Sequence, residues 1–344
     1  MPRKVKALVL LSGGLDSILA VKLLLEQGIA VQAINFRTNF CGPNKARPAA
    51  EMLGVSLREV SIREEFLEVL KKPKHGYGSG MNPCIDCHAL MLKKAGEIMR
   101  SEGYDFLATG EVLGERPMSQ HKQALDIVAR DANVVGYLLR PLSAKLLEPT
   151  IAEKEGLVDR EKLLDISGRS RKTQMALAER YGIKKYPTPA GGCALTQKGF
   201  ADRLRELMKH KPDFNSEDVN LVAIGRHFWV QGNSLDYALD ESACADSQII
   251  LGRDQEENEI LKSVASRNDV LVCPDGFIGP MALVRSSICH AELVSASDED
   301  QRSRNKFGMT KEGMINKAKE LVIQFSPKAK DLKPEEIRFK IVRG

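Results

Sequence analysis

Apolar positions near the start of the chain fall into two registers. Ala7-Leu8-Val9-Leu10-Leu11 is an unbroken run, as in a strand buried on both faces. From Ile18 to Leu25 the only polar residue is Lys22, a helical pattern that Gly28 closes. The alternation continues down the chain. Strands are predicted over 5–11, 30–36, 57–62, 106–109 and 136–139, and helices over 48–53, 89–99 and 119–129. Such alternation gives an α/β fold with a parallel, doubly wound sheet, whose ligands sit at the C-terminal strand ends.

Residues 150–185 read as helical and highly charged, and 199–210 as a helix. Beyond residue 216 the pattern changes. A helix ending at 265, strands over 269–273 and 337–342, and a helix over 314–325 predict a smaller α+β module. The expected organisation is a nucleotide domain over 1–185, a connecting loop and helix over 186–215, and the module over 216–344. Within the module, Cys289–Thr310 is polar and without periodicity. Its ends, Glu292-Leu-Val-Ser and Arg304-Asn-Lys-Phe, can be encoded by complementary DNA read in shifted frames. An inserted, translated palindromic repeat and an ordinary surface loop are both open readings.

Between the first strand and the first helix lies Ser12-Gly-Gly-Leu-Asp-Ser17. A turn there presents unpaired N–H groups at a helix N-terminus, where a phosphate binds well. Gly13 and Gly14 let the backbone close on an anion. Ser12 and Ser17 add hydroxyls, and Asp16 would hold Mg²⁺ or fix the loop. No Gly-Lys-Ser/Thr follows, and the dinucleotide spacing of glycines is absent, so this is neither a Walker loop nor a Rossmann fingerprint.

The 344 residues allow one large or two medium domains. No apolar run reaches membrane-spanning length, and the first residues lead straight into a core strand without an export signal. A cytoplasmic protein with reduced cysteines is expected. The net charge of +5 is unevenly placed. Residues 160–211 hold thirteen Lys and Arg against five Asp and Glu, a stretch that would attract RNA or simply face solvent.

Asn82-Pro-Cys84-Ile-Asp-Cys87-His88 places two thiols within reach of one metal centre. Its readings are a c-type haem site, a redox dithiol, a structural zinc, or part of an iron–sulfur site. The last brings in Cys193, delivered by Tyr186-Pro-Thr-Pro-Ala-Gly-Gly192. Three thiolates can hold a [4Fe–4S] cluster and leave one iron open for a sulfide. Cys41, Cys244, Cys273 and Cys289 lie in apolar or irregular contexts and are not expected to be ligands.

The Ser12–Ser17 turn resembles the SGGxDS loop (PP-loop) of enzymes that split ATP into AMP and pyrophosphate. Together with Asn-Pro-x-x-x-Cys, a strand ending Ala108-Thr109-Gly110 and a distant Cys, the chain resembles the tRNA thiouridine synthases, of ThiI type or 2-thiouridine type. Arg116-Pro-Met-Ser-Gln and Ser167-Gly-Arg-Ser-Arg-Lys are similar to short ThiI-like members. The resemblance implies ATP, Mg²⁺ and tRNA. A uridine carbonyl would be adenylated and its oxygen then replaced by sulfur, giving 4-thiouridine in preference to 2-thiouridine. In persulfide-using members the reacting pair matches Cys87 and Cys193, with Asp at the place of Cys84. A cysteine at 84 resembles the iron–sulfur members and implies a cluster on Cys84, Cys87 and Cys193.

Ser12, Gly13, Gly14, Asp16 and Ser17 would hold the phosphates. Phe36 and Arg37 would face the adenine, and Thr109 and Gly110 would line the same crevice. Arg169, Arg171 and Lys172 would contact RNA or ATP phosphates. The module over 249–285 is similar to the NFACT-R (DUF814-type) RNA-binding domain. No THUMP-type domain or rhodanese-like carrier is recognised, so the sulfide or sulfur donor is left open, as is a homodimer. Two rival readings remain: a PP-loop enzyme using an amine nucleophile, and a non-enzymatic RNA-binding protein.

Overall fold

The computed structural model describes residues 3–40, 45–186, 193–230, 247–285 and 311–343. They divide into two units, Met1–Asp202 and Arg203–Gly344. Each unit is built on its own five-stranded sheet.

The first unit begins with β1 (Lys6–Leu10), α1 (Leu15–Glu26), β2 (Ala30–Arg37), α2 (Ala46–Leu53), β3 (Ser56–Ser61) and α3 (Arg63–Lys71). It continues with α4 (Cys84–Glu102), β4 (Phe106–Ala108), α5 (Lys122–Asp131), β5 (Leu138–Leu139), α6 (Ile151–Lys154) and α7 (Lys172–Arg180). The strand order is β3-β2-β1-β4-β5, and every pairing is parallel. Alternate residues serve opposite layers. Ala7, Val9, Phe106 and Ala108 pack with Leu15, Ile18 and Leu19 of α1. Leu8 and Leu107 pack with Leu92, Ala95 and Met99 of α4 and Val128 of α5. Helices therefore cover both faces, and the order reverses between β1 and β4. A crevice at that switch point is where doubly wound sheets take their ligands.

Two local readings of the sequence are corrected. Only Ile151–Lys154 and Lys172–Arg180 are α-helical within 150–185. Between them the backbone runs back along the segment after β5: Leu164 N–H donates to Pro141 O at 3.0 Å and Ile166 N–H to Leu142 O at 2.8 Å. Leu163 and Ile166 are buried in the core by this path, which supplies the partners a helix would otherwise provide. Helix α3 is an addition to the expected elements, although Phe66, Leu67 and Leu70 give it a buried stripe. Helix α4 also starts earlier than residue 89, with Cys84 as its first residue.

The chain passes to the second unit within α8 (Lys198–His210). There follow α9 (Ser216–Val222), β6 (Arg226–Val230), β7 (Ser247–Leu251), α10 (Gln255–Val264), β8 (Val270–Asp275), β9 (Ala282–Arg285), α11 (Lys311–Phe325) and β10 (Arg338–Arg343). The sheet order is β10-β8-β9-β7-β6, antiparallel throughout. Ile249, Val272, Ala282 and Val284 pack beneath Met314, Ala318 and Val322 of α11. The opposite face carries Ile250, Leu271 and Leu283 against Leu221 of α9 and Leu261 of α10. The chain on either side of the suspected insertion thus belongs to one core. The insertion itself, Cys289–Thr310, lies outside the described residues, as do Cys41, Cys244 and Gly191-Gly192. Among the described residues no helix is long and apolar enough to cross a membrane.

Candidate functional site

The Ser12–Ser17 turn joins β1 to α1 at the switch point. Leu11 is fixed from the neighbouring strand, because Asn35 Nδ2 donates to Leu11 O at 2.8 Å. Gly13 sits at φ +79°, and a Cβ there would lie 2.1 Å from Lys45 O, so only glycine fits. Gly14 caps α1 in an extended conformation without a side-chain cap. Ser17 Oγ donates to Gly14 O at 2.8 Å and lies 3.2 Å from Ser12 Oγ. The two hydroxyls thereby brace the turn, while the first-turn N–H groups of α1 keep no intrahelical partner.

The end of β4 is seated on this turn. A Cβ on Gly110 would lie 2.4 Å from Ser17 N and 2.6 Å from Asp16 C. Thr109 is buried at 5 % exposure, and its N–H donates to Leu139 O at 3.1 Å. Sequence reasoning placed Thr109 and Gly110 on the crevice; the fold sets Gly110 against the Ser12–Ser17 turn, and Thr109 is its neighbour in the chain. Phe36 and Arg37 part company at the end of β2. The Phe36 side chain is buried in the core on the α4 side of the sheet, so of the two side chains only that of Arg37 is half-buried at the strand end.

Asp16 faces cations. Arg171 Nη2 lies 3.5 Å from Asp16 Oδ2, and Arg171 Nε lies 3.8 Å from Glu115 Oε1. Burial raises the Asp16 carboxyl above its ordinary value, against the opposing charges of Arg171 and Arg116. Glu115 is raised by burial and by the like charge of Asp16. Asp16 Oδ1 is buried without a hydrogen-bond partner, an oxygen of the kind a hard cation takes. Arg169 and Lys172 are exposed on either side, so the three basic residues divide between crevice and surface.

Cys84 and Cys87 occupy the first turn of α4, where Cys87 N–H donates to Pro83 O at 2.8 Å. Asp86 between them accepts from His75 N–H at 3.0 Å and is structural. Cys193 begins a single 3₁₀ turn whose Leu195 O accepts from Met81 N–H at 2.9 Å, so it belongs to the same neighbourhood as α4. All three cysteines are partly exposed. Burial pushes the Cys84 thiol up, and Arg116 opposes that shift as it does at Asp16. One guanidinium is therefore felt at both Asp16 and Cys84. The donor set suits a thiolate-bound cluster. Among the described residues, however, no three His, Cys, Asp or Glu side chains converge on a point where a metal ion would sit. Cys273 lies on β8 of the second unit, its thiol raised by burial.

Sequence reasoning missed Glu111. Its Oε1 lies 2.9 Å from His88 Nδ1, and its Oε2 accepts from Thr109 Oγ1 at 3.0 Å and Arg140 Nε at 2.9 Å. Burial alone would raise this carboxyl. The Arg140 charge and the His88 contact outweigh burial and hold it well below the usual range. The only signal in the sequence was an acidic residue directly after the glycine that closes the strand.

Residues 3–151 match the family described as thiamine biosynthesis protein (ThiI). The tRNA-specific 2-thiouridylase MnmA 1 of Syntrophus aciditrophicus (strain SB) is 28 % identical over 229 residues, covering 59 % of this chain and 56 % of that protein. The tRNA-specific 2-thiouridylase MnmA of Syntrophotalea carbinolica is 36 % identical over 121 residues, covering 30 % of this chain and 33 % of its own. A solved 4-thiouridine synthetase–RNA complex with bound ATP is 18 % identical with a TM-score of 0.36, covering 63 % of this chain and 53 % of that one. This chain spans little more than half the length of the first of these relatives. Over residues 3–151 its first unit is similar to the ThiI family, and the chain has sequence similarity to tRNA thiouridylases.

Proposed function

We propose that the chain is an ATP-dependent tRNA sulfurtransferase, which adenylates a uridine carbonyl and replaces its oxygen with sulfur. The observation that supports this reading is a line of contacts within the first unit. It runs from Ser17 to Gly110 and Thr109, through Glu111 to His88, and so to the cysteine-bearing turn of α4. Chemistry at the PP-loop and chemistry at the thiols then act on one substrate.

A uridine carbonyl is a poor electrophile with a poor leaving group. Attack of its oxygen on the α-phosphorus of ATP forms an O-adenylate and expels pyrophosphate. A sulfur nucleophile then adds to the activated carbon, and AMP departs with the original oxygen. Ser12, Gly13, Gly14 and Ser17 would hold the departing pyrophosphate at the α1 N-terminus. Asp16, with its unpartnered Oδ1, would position Mg²⁺. Gly110 lets the crevice wall close, and Arg37 would reach the nucleoside end.

Sulfur handling is assigned to Cys84, Cys87 and Cys193. A [4Fe–4S] cluster on these thiols would supply an open iron able to carry a sulfide. The target base leaves its stack to enter the crevice. Arg169 and Lys172, with the NFACT-R-like second unit, would supply the grip on tRNA. The expected product is 4-thiouridine, in the cytoplasm.

The test is direct. Anaerobically purified protein is incubated with ATP, Mg²⁺, sulfide and transcribed tRNA; pyrophosphate is measured, and the digested nucleosides are read by mass spectrometry. Pyrophosphate and thiouridine formed only with tRNA support the reading. Pyrophosphate with an aminated product, or neither product, would sink it. Iron and acid-labile sulfide, assayed in the wild type and in Cys84→Ala, Cys87→Ala and Cys193→Ala, decide the cluster separately.

A further inference from the structure

We propose that Glu111 and His88 form a positioning tether that locks the cysteine-bearing turn of α4 to the nucleotide crevice; the functional part of this inference rests on the sulfurtransferase reading above. Glu111 is 5 % exposed and ties four elements together. Thr109 ends β4. His88 lies in the first turns of α4. Arg140 follows β5, and its Nη2 donates to Leu125 O of α5 at 3.2 Å. The carboxylate stays ionised, so it only accepts, and His88 Nδ1 must carry the proton in this contact.

A buried ionic group gives little net stability, since its desolvation offsets most of its attraction. What it does give is direction. Glu111 receives three donors through two oxygens, one each from His88, Thr109 and Arg140. His88 is the residue next to Cys87, and Thr109 is the residue next to Gly110. The tether therefore fixes the azimuth of α4 at the position where its thiols must meet an adenylate held on the PP-loop. Misplacing a reacting group by about 1 Å can cost on the order of a hundredfold in rate.

The role belongs to one nitrogen of the ring. An asparagine carboxamide places an N–H donor close to the position of histidine Nδ1, whereas alanine places none. His88 is partly exposed, with 28 % of its side chain open, and is not among the buried apolar core residues, so either replacement removes no core side chain. The experiment compares wild type, His88→Ala and His88→Asn by hydrogen exchange and by turnover.

In His88→Ala, amide exchange over residues 84–90 should rise by about tenfold or more while peptides over 92–102 stay unchanged. His88→Asn should exchange like wild type. With tRNA, ATP and sulfide, His88→Ala should lose about tenfold or more of thiouridine formation while pyrophosphate release stays within about threefold, and His88→Asn should recover the loss. Unchanged exchange in His88→Ala, or a His88→Asn variant as impaired as His88→Ala, would overturn the tether. If the variants show this exchange pattern but the wild type makes no thiouridine, the tether stands and the sulfurtransferase reading is rejected.

Discussion

Gly110 lies so close to Ser17 that a Cβ on it would stand 2.4 Å from the Ser17 backbone nitrogen. The strand that ends at Ala108 and the helix that starts at Leu15 therefore meet backbone to backbone at the phosphate-binding turn. Gly110→Ala must push the two apart. ATP binding should weaken by about tenfold or more, as a misplaced anion site loses its aligned N–H groups. Titration calorimetry with a non-hydrolysable ATP analogue checks this. Wild-type affinity in the variant would mean that the nucleotide binds elsewhere.

Asp16 couples function to a stability cost. Its carboxyl is raised by burial, so the charged form is less comfortable in the fold than in the unfolded chain. For a raised acid, that destabilisation is present above the folded pKa and fades as pH falls below it. Asp16→Asn should therefore abolish pyrophosphate release while melting at the same or a higher temperature. Thermal unfolding at pH 7 beside a pyrophosphate assay gives the answer. Pyrophosphate release by the Asp16→Asn variant at the wild-type rate removes Asp16 from the mechanism.

The basic cluster should separate by mutation. Arg171 pairs with Asp16 and Glu115, whereas Arg169 and Lys172 are exposed. Arg169→Ala with Lys172→Ala should weaken tRNA binding and reduce its salt slope by about one or two, leaving the KM for ATP unchanged. Arg171→Ala should act instead on the ATP-dependent step, because it leaves two carboxylates facing each other. Filter binding across a salt series, with ATP kinetics, distinguishes the two. Equal effects from both sets would refute the division.

The second unit carries a pH-dependent contact. His227 Nε2 donates to Ile224 O at 2.7 Å, and burial lowers its pKa to about 4. Between that value and the ordinary histidine range, the unfolded chain binds a proton that the fold excludes. Stability is thus complete above about pH 6.5 and falls toward pH 4, by roughly 3 kcal/mol at most. Urea unfolding at several pH values should show the slope, and His227→Gln, which keeps a donor but does not titrate, should flatten it. An identical slope in the variant would assign the effect to other groups.

Deleting residues 290–309 should leave the second unit intact. Val284 on β9 and Met314 on α11 share one core, and loop length contributes only weakly to stability. The melting temperature and thiolation of the deletion variant should match the full chain within error. A marked loss of either would make the segment a working part of the module.

Local pattern was enough for much of the first unit. The run Ala7–Leu11, the turn Ser12–Ser17 and the helix after it are contiguous, and burial on both faces leaves its mark on each strand without reference to the rest. The α/β class followed from the same alternation. The antiparallel second unit was legible only as a change of rhythm. Helix α3 carries its signal in Phe66, Leu67 and Leu70, a stripe too short to stand out beside the strand that precedes it.

What the sequence could not supply were relationships between ends of different strands. Residues 163–166 look as helical as their neighbours, yet the Leu164 and Ile166 N–H groups pair with 141–142, a path that buries Leu163 and Ile166. His88 on α4, Glu111 beyond β4 and Arg140 after β5 come from separate parts of the chain, and no spacing links them. Phe36 and Arg37 are neighbours in sequence, but strand alternation buries the first and leaves the second at the strand end. Chain-local physics determined the PP-loop and the strand–helix frame. Only the packing of β4, α4 and α7 around that loop decided which carboxylates are buried, which arginine faces Asp16 and which histidine holds the cysteine-bearing turn, because those contacts depend on where separate elements come to lie in space.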